Sequence, residues 1–224
     1  MVSIIIPALN ESAAIGALIH ALGELTGDKE ILVVDGESED DTAALAALAG
    51  AHVVRSARGR GQQMSAGARA ASGGVLWFVH ADSRPSSQAL AAIAEALRDE
   101  RNVGGNFALV FAGDSAAALR MNWVYPKLRW LGLSYGDAGI FVRRTAYEAI
   151  GGLRPYGLFE DLDLVRRLSS RGRFVHLDCP LTTSSRRFEG QRSARVWTRW
   201  IALQALYWLG VSPNLLARWY RPAR

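Results

Sequence analysis

One cysteine, Cys179, occurs in 224 residues, so no internal disulfide framework is available and a reducing compartment fits. Lysine is almost as scarce, because 24 of the 26 basic residues are Arg. Long hydrophobic runs are missing too. The opening "MVSIIIPALNES" has no basic leader and only a short apolar run, so neither a signal peptide nor a membrane anchor is expected there. The uncharged stretch from Trp200 to Leu216 is interrupted by Gln204, Ser212-Pro213 and Asn214, which argues against a span. No repeat, low-complexity tract or Pro/Gly/Ser linker appears, and one domain over residues 1–224 is expected. Glycine is absent from "PALNES" after the first apolar run, which excludes the G-x-G-x-x-G turn of a dinucleotide enzyme. The partial match Gly59-Arg60-Gly61-Gln62-Gln63-Met64 lacks its last glycine, and no G-x-x-x-x-G-K-[ST] loop occurs anywhere.

What is present is an ordinary globular composition, 50% apolar and 21% charged. The net charge of +5 is unevenly spread: residues 1–112 carry 8 basic and 13 acidic side chains, residues 113–224 carry 18 and 8. From Arg186 onward eight Arg meet only Glu189. Such a bias fits an anionic partner (phosphate, nucleic acid or a membrane surface) or an Arg-rich composition with no partner at all.

Periodicity sets out the elements. "VSIII" (2–6) is the β-branched run of a strand covered on both faces. A helix over 12–25 follows, with Ile15, Leu18, Ile19, Leu22 and Leu25 on one stripe and Ser12 as its N-cap. "EILVVD" (30–35), "AHVVR" (51–55) and "VLWFV" (75–79) are further strands; helices are expected over 41–50, 61–71 and 86–100. Strands alternating with helices, without hairpin turns, predict a parallel α/β sheet. Beyond Asn102 the rhythm changes. "GGNFALVF" (104–111) alternates like a half-exposed strand, and a helix is expected over 115–131. Strand "GIFVRR" (139–144), helix "EDLDLVRRLSSRG" (160–172), strand "RFVHLD" (173–178) and a Trp-rich helix over 192–209 complete the pattern.

Ligands of an open parallel sheet bind beyond the carboxyl ends of its strands. Asp35 in "LVVDGES" and Asp82 in "FVHADS" sit at such ends, and "PALNE" closes the first strand. Each aspartate alone reads equally well as a cap or turn former; two on neighbouring strands point to a shared site. Carboxylates there suit Mg²⁺ or Mn²⁺ with phosphate oxygens as further ligands, and Arg84 is a nearby base. His80 fits either a Mn²⁺ ligand or a hydrogen-bonded histidine at the strand end. "GLFEDLDLVRRL" places Glu160, Asp161 and Asp163 at a helix start, where free N–H groups favour acids even without a functional role. Helical spacing turns Leu162, Val165 and Leu168 inward, leaves Asp163 exposed, and puts Glu160 and Asp161 at the loop mouth.

"VSIIIPALNE", "EILVVDGESEDDT", "GRGQQMSAGARAASGGVLWFVHADS" and "FEDLDLVRRL" together resemble the family 2 glycosyltransferases. The likeness is greatest to short bacterial members linked to arsenosugar or carotenoid-glycoside pathways, and it runs over about residues 2–170 in the family's order. It implies an α/β GT-A fold: a single Rossmann-like mixed sheet, mainly parallel, flanked by helices, with a C-terminal helical tail. Residues 1–101 would form the nucleotide-sugar half, 102–190 the acceptor half and 191–224 the tail. A nucleotide-sugar donor (a UDP-sugar favoured), a divalent metal (Mn²⁺ or Mg²⁺) and inversion at the anomeric carbon are implied with it. Pro7, Ala8, Asn10, Glu11, Asp35, Gly36, Ser38 and Gly61 would hold the nucleotide. "HAD" stands where the family often has Asp-x-Asp, so Asp82 would be the metal ligand, and His80 in place of the first aspartate leaves the metal's identity open. By the same resemblance Asp161 is the general base and Glu160 its neighbour in acceptor binding. "SYGDAGIFVRR" resembles a Gly-Asp-Gln segment: Gly136 and Asp137 match, Ala138 departs. Gly136 and Asp137 would face the acceptor; on that side Arg186 and Arg187 fit a phosphate clamp, with His176 a further ligand, or equally solvated arginines and a histidine on a strand.

In the tail, Trp197, Trp200, Tyr207, Trp208, Trp219 and Tyr220 interleave with Arg. That composition suits an amphipathic helix at a lipid interface, a core-packing helix or a dimer contact. It carries no nucleic-acid docking motif. The expectation is thus a metal-assisted inverting transferase acting on a lipid or small-molecule acceptor. It would be cytoplasmic, at the inner face of the membrane where the tail docks. The alternative is a non-catalytic nucleotide-sugar-binding protein with a degenerate site.

Overall fold

The computed structural model describes residues 1–130, 136–184 and 193–219. Strand β1 (Val2–Ala8) is hydrogen-bonded in parallel to β2 (Lys29–Asp35) on one side, with β3 (His52–Arg55) beyond it, and to β4 (Val75–Phe78) on the other. A two-residue strand, β5 (Arg84–Pro85), and the long β6 (Asn102–Phe111) follow in the chain. β7 (Phe141–Arg143) runs antiparallel between β4 and β6. β8 (Arg173–Thr183) is parallel to β6 and antiparallel to β5. The order across the sheet is β3-β2-β1-β4-β7-β6-β8-β5, the mixed, mainly parallel sheet that was expected.

The two-residue period of β1 explains why its whole apolar run is buried. Ile4 and Ile6 enter one core layer with Ile15, Leu18 and Leu22 of α1 (Ile15–Gly23); α2 (Thr42–Leu48) contributes Ala46 to the same layer. Ile5 enters the other with Met64 of α3 (Arg60–Ala70). Ile93 of α4 (Ala89–Ala96) extends the first layer, and Trp77, fully buried, stacks there on Phe107 at 5.2 Å between ring centroids. The second half adds α5 (Ala116–Trp130), α6 (Arg144–Ala149), α7 (Glu160–Ser169), α8 (Ser193–Trp208) and α9 (Pro213–Trp219).

Helix α3 lies close against the sheet because of Gly67. A Cβ there would stand 2.4 Å from Ile5 Cγ2 and 2.8 Å from Val34 Cγ2. Gly67→Val is expected to cost about 1–3 kcal/mol through overpacking. The measurement is a urea midpoint, and a wild-type value would show that α3 can lift without loss.

Several expectations are corrected. Ser12 does not cap α1: its N–H donates to Asp40 Oδ2 in the loop after β2, and the Glu11 carbonyl accepts from Ala14 and Ile15 instead. β6 is not half-exposed. Its residues 102–107 are buried because both faces are covered, Phe107 entering one core layer and Val103 the other, and alternation survives only at its end. β8 continues past the expected 178 to Thr183, and β5, α6 and α9 were not anticipated. The tail packs inward through Leu203 and Leu216, buried against Phe159 and Leu162, while Ile201, Trp208, Leu209, Leu215 and Trp219 stay exposed. The side chains of Trp197 and Trp200, and all of Tyr220, lie outside the described residues.

Candidate active site

Parallel pairing in register brings Ala8 and Asp35 side by side at the carboxyl edge of the sheet. The Gly36 N–H donates to the Ala8 carbonyl (2.9 Å), so the two strand-end loops leave together. Gln63 of α3, buried, fastens them from below by donating to the carbonyls of Ala8 (2.7 Å) and Val34 (2.8 Å). Above them Ser38 Oγ accepts from the Asn10 N–H, Asn10 Oδ1 from the Glu39 N–H, and Thr42 Oγ1 from the Glu11 N–H. Asn10 has a left-handed φ of 55°, a region that Asn enters more readily than most residues. Pro7, Ala8, Asn10, Glu11, Asp35, Gly36 and Ser38 thus come together in one cradle, beside a cleft of about 460 Å³ lined by Asp35, Ser38, Asp41, Arg55 and Ser56.

The carboxylates of this cradle are not equivalent. Asp40 is committed to the loop: bonds from Thr42 and then Ser12 hold its carboxyl down at about 2. Asp35 is buried and, among the described residues, has only the Ser38 N–H at 3.4 Å from each oxygen, the long limit of a hydrogen bond. It is the acceptor that a ligand N–H could reach.

The second group forms at the end of β4. The turn closed by the Ser83 N–H on the His80 carbonyl carries His80 and Asp82 past the strand. Asp82 Oδ1 accepts from Thr183 Oγ1 at 3.4 Å, and the hydroxyl of the adjacent Ser83 is buried without a hydrogen-bond partner. His80 lies between two partners, its Nδ1 at 3.3 Å from Asp137 Oδ1 and its Nε2 at 3.3 Å from Arg60 Nη1. A guanidinium only donates, so Nε2 accepts and Nδ1 carries the proton; that tautomer is assigned from the network. As a metal ligand His80 would have to leave one of these partners.

α7 delivers the remaining acids. Phe159 enters it with a left-handed φ of 60°, and Glu160 and Asp161 turn inward, 3% and 5% exposed. Asp161 Oδ2 accepts from the Gly136 N–H (2.6 Å) and Arg60 Nη2 (3.1 Å), and Oδ1 from the Leu162 N–H (2.8 Å). A Cβ at 136 would stand 3.0 Å from Asp161 Oδ2 and 3.2 Å from Asp161 Cβ, so any side chain there presses on that carboxylate. Gly61 lies under the approach to α7, where an added Cβ would meet the Tyr156 carbonyl at 3.3 Å and Glu160 Cγ at 3.4 Å.

Arg60 is the residue that the sequence did not single out. Its Nε donates to Glu160 Oε1 (2.5 Å), Nη2 to Asp161, and Nη1 stands 3.5 Å from Asp137 Oδ1. Burial opposes its charge, but Glu160, Asp161 and Asp137 outweigh that and raise its pKa further. The signal was present: the rejected glycine pattern brackets Arg60 at the first turn of a helix that follows a strand end.

Asp163 contradicts the expectation of exposure. It is 6% exposed and pairs with Arg154 (3.3 Å) and Arg167 (2.7 Å), because the segment before α7 folds back over that face. His176 bonds to Asn106 at 2.6 Å on β8, in a separate pair. Arg186 and Arg187 lie outside the described residues.

No group of three or more His, Cys, Asp or Glu positioned to hold a metal forms among the described residues. The donor set at β4 nevertheless fits a hard cation that takes a single protein carboxylate, Asp82, and completes its shell with phosphate oxygens and water.

The sequence profile described as Glycosyl transferase family 2 matches residues 3–154. No curated protein sequence matches the chain. Among solved structures, glucosyl-3-phosphoglycerate synthase from Mycobacterium tuberculosis in complex with Mn²⁺, UDP-glucose and phosphoglyceric acid superposes with a TM-score of 0.61. Identity is 21%, over 80% of this chain and 70% of that one. The same enzyme with Mg²⁺ and UDP gives 0.59 at 21% identity, over 80% and 69%. These likenesses show a shared fold. With the profile covering more than half of its length on that fold, the chain belongs to glycosyl transferase family 2.

Proposed function

We propose that the protein moves a sugar from a nucleotide-diphosphate donor, a UDP-sugar by preference, to an acceptor hydroxyl with inversion. The observation that carries this is the meeting of two constellations at one sheet edge. The Asp35 cradle suits a nucleotide, and the Asp161, Asp137 and His80 cluster, joined through Arg60, suits the transfer. Structures of glucosyl-3-phosphoglycerate synthase holding UDP-glucose beside Mn²⁺ or UDP beside Mg²⁺ support the donor class and the metal. The profile match ends at residue 154, so the support for Glu160 and Asp161 is their resemblance to the family's Glu-Asp motif and their place beside Arg60.

In this scheme Asp35 accepts from the base, with Pro7, Ala8, Asn10, Glu11, Gly36 and Ser38 forming the walls. Arg60 faces the diphosphate. Asp82 would hold Mn²⁺ or Mg²⁺, which supplies Lewis-acid stabilisation to the departing phosphate oxygens when bound. The acceptor oxygen bonds to the anomeric carbon as the carbon–phosphate-oxygen bond breaks, and the electron pair leaves with the nucleoside diphosphate. Asp161, oriented by the Gly136 and Leu162 N–H groups, takes the hydroxyl proton. Glu160, Gly136 and Asp137 form the acceptor side. Residues 1–101 serve the donor, 102–190 the acceptor, and 191–224 form the tail.

A thermal-shift panel of UDP-, GDP- and dTDP-sugars, with and without Mn²⁺, tests the donor site. One donor is expected to raise Tm only with the metal, and the gain should vanish in Asp82→Asn; silence from every donor would sink the proposal. A second role, a binding protein without turnover, is favoured by one observation: Arg60 fills an acceptor position of Asp161.

The tail is proposed to touch the membrane from the cytoplasmic side. No described helix is long and apolar enough to cross a bilayer. Exposed Ile201, Trp208, Leu209, Leu215 and Trp219 accompany a sequence with no acidic residue after Glu189, the charge complement of anionic headgroups. The Asn214 side chain accepts from the Gly157 N–H (3.1 Å), linking α9 to the approach of α7, so a membrane-resident acceptor hydroxyl fits. Trp208→Ser with Trp219→Ser is expected to weaken sedimentation with phosphatidylglycerol vesicles about tenfold or more. Equal sedimentation of wild type and variant would reject this contact.

A further inference from the structure

We infer that Arg60 is a latch, operated by the donor, on the carboxylate that takes the acceptor's proton. This rests on the role proposed for Asp161 and goes beyond it by naming the side chain that covers Oδ2 until a diphosphate binds. A carboxylate oxygen offers two acceptor positions. Both positions of Asp161 Oδ2 are filled, by the Gly136 N–H at 2.6 Å and Arg60 Nη2 at 3.1 Å, and Oδ1 already accepts from the Leu162 N–H. The Asp161 side chain is 7% exposed. An incoming hydroxyl therefore finds Oδ2 closed while Arg60 stays in place.

The same bonds show how the latch opens. The two backbone N–H groups belong to fixed main chain and hold Asp161 in position whatever Arg60 does. Arg60 is a long side chain, about a third exposed, on the first residue of α3. Its guanidinium can turn without moving the helix. Nε is bonded to Glu160, whereas the Nη groups face Asp161, Asp137 and His80, so rotation about the Glu160 contact is the shortest path. His80 is two residues from Asp82, so Nη1 already faces the strand end where the diphosphate is placed. A diphosphate presents several charged oxygens in the geometry a guanidinium fork prefers, and it competes directly for the Nη groups. Donor binding then draws Arg60 off Oδ2 and leaves one acceptor position open toward the site. Arg60 is in this sense a positioning residue: the acceptor reaches Oδ2, the oxygen fixed by the Gly136 N–H, once the diphosphate has drawn the guanidinium away.

The test follows the reactivity of the Asp161 carboxylate in the full chain, by carbodiimide-driven amide formation with a small amine and peptide mass spectrometry. Wild type alone is expected to label slowly at Asp161. Saturating UDP with Mn²⁺ should raise the rate about tenfold or more, the equivalent of releasing one charge-assisted hydrogen bond. Arg60→Gln should label fast with or without UDP. Arg60→Lys, which keeps the charge should the Gln variant fold poorly, should restore slow labelling and the response to UDP. A purely structural role for Arg60 would not make labelling depend on UDP. Binding of UDP, seen as a Tm shift, with no change in wild-type labelling would overturn the latch and leave the proposed donor site standing. No binding of UDP or of any other nucleotide in the panel would overturn both.

Discussion

Asp161→Asn is expected to lower kcat by about 10²–10⁴-fold, the usual worth of a positioned proton acceptor, while leaving nucleotide affinity within a factor of about two. The amide keeps a carbonyl oxygen for the Gly136 N–H, and Glu160 still pairs with Arg60, so the site should hold its shape. Turnover is measured as nucleoside diphosphate released with any acceptor that supports it, and affinity by calorimetry with UDP and Mn²⁺. Activity within tenfold of wild type would remove Asp161 as the base. A fall in kcat matched by a collapse of UDP affinity would instead assign it to the donor.

Asp163→Ala, two residues along, should do the opposite. Its carboxylate stands 2.7 Å from Arg167 Nη2 and 3.3 Å from Arg154 Nη1, and Arg167 Nη1 also donates to the carbonyls of Ile150 and Gly152 at 2.8 Å each. Removing the anion leaves the Arg167 cation, 15% exposed, without its counter-charge. Breaking a buried pair from one side costs about 3–5 kcal/mol. For a chain of this size that is a fall of roughly 10 °C in Tm, with kcat per folded molecule unchanged. An unaltered Tm would show that the pair is a surface contact despite its burial. Together the two variants separate a carboxylate that holds the fold from one assigned to the chemistry, about half a helical turn apart.

Their sequence context could not separate them. Leu162, Val165 and Leu168 identify the inward stripe of α7 correctly, and all three are buried. Spacing alone then sends Asp163 outward. The segment around Ile150–Arg154 covers that outward face, and Arg154 and Arg167 arrive to neutralise it. Periodicity describes one helix against one neighbour; it cannot register a second neighbour on the other side.

The front half of the chain was legible because its signals are local. β-branched runs in β1 and β2, helical stripes between them and the absence of hairpin turns determine a parallel sheet, and a parallel sheet determines which strand ends share an edge. Asp35 and Asp82 follow from it as strand-end residues, whereas the cradle around Asn10 and Ser38 follows only from the resemblance to the family. The sequence by itself also determined that no glycine-rich phosphate loop is built after β1, and that the tail ends in Arg without acids.

Tertiary structure alone decided what those groups do to one another. Arg60 meets Glu160 and Asp161 across about a hundred residues of chain, and meets His80 and Asp137 on two further elements. Nothing in residues 58–62 specifies which of 21 acidic side chains a guanidinium will find. That pairing follows from the close seat of α3 at Gly67 and from the crossing of β7 between β4 and β6, which brings Gly136 and Asp137 back to the same edge. Electrostatic partners are set by distance in space, and local pattern carries distance only along the chain.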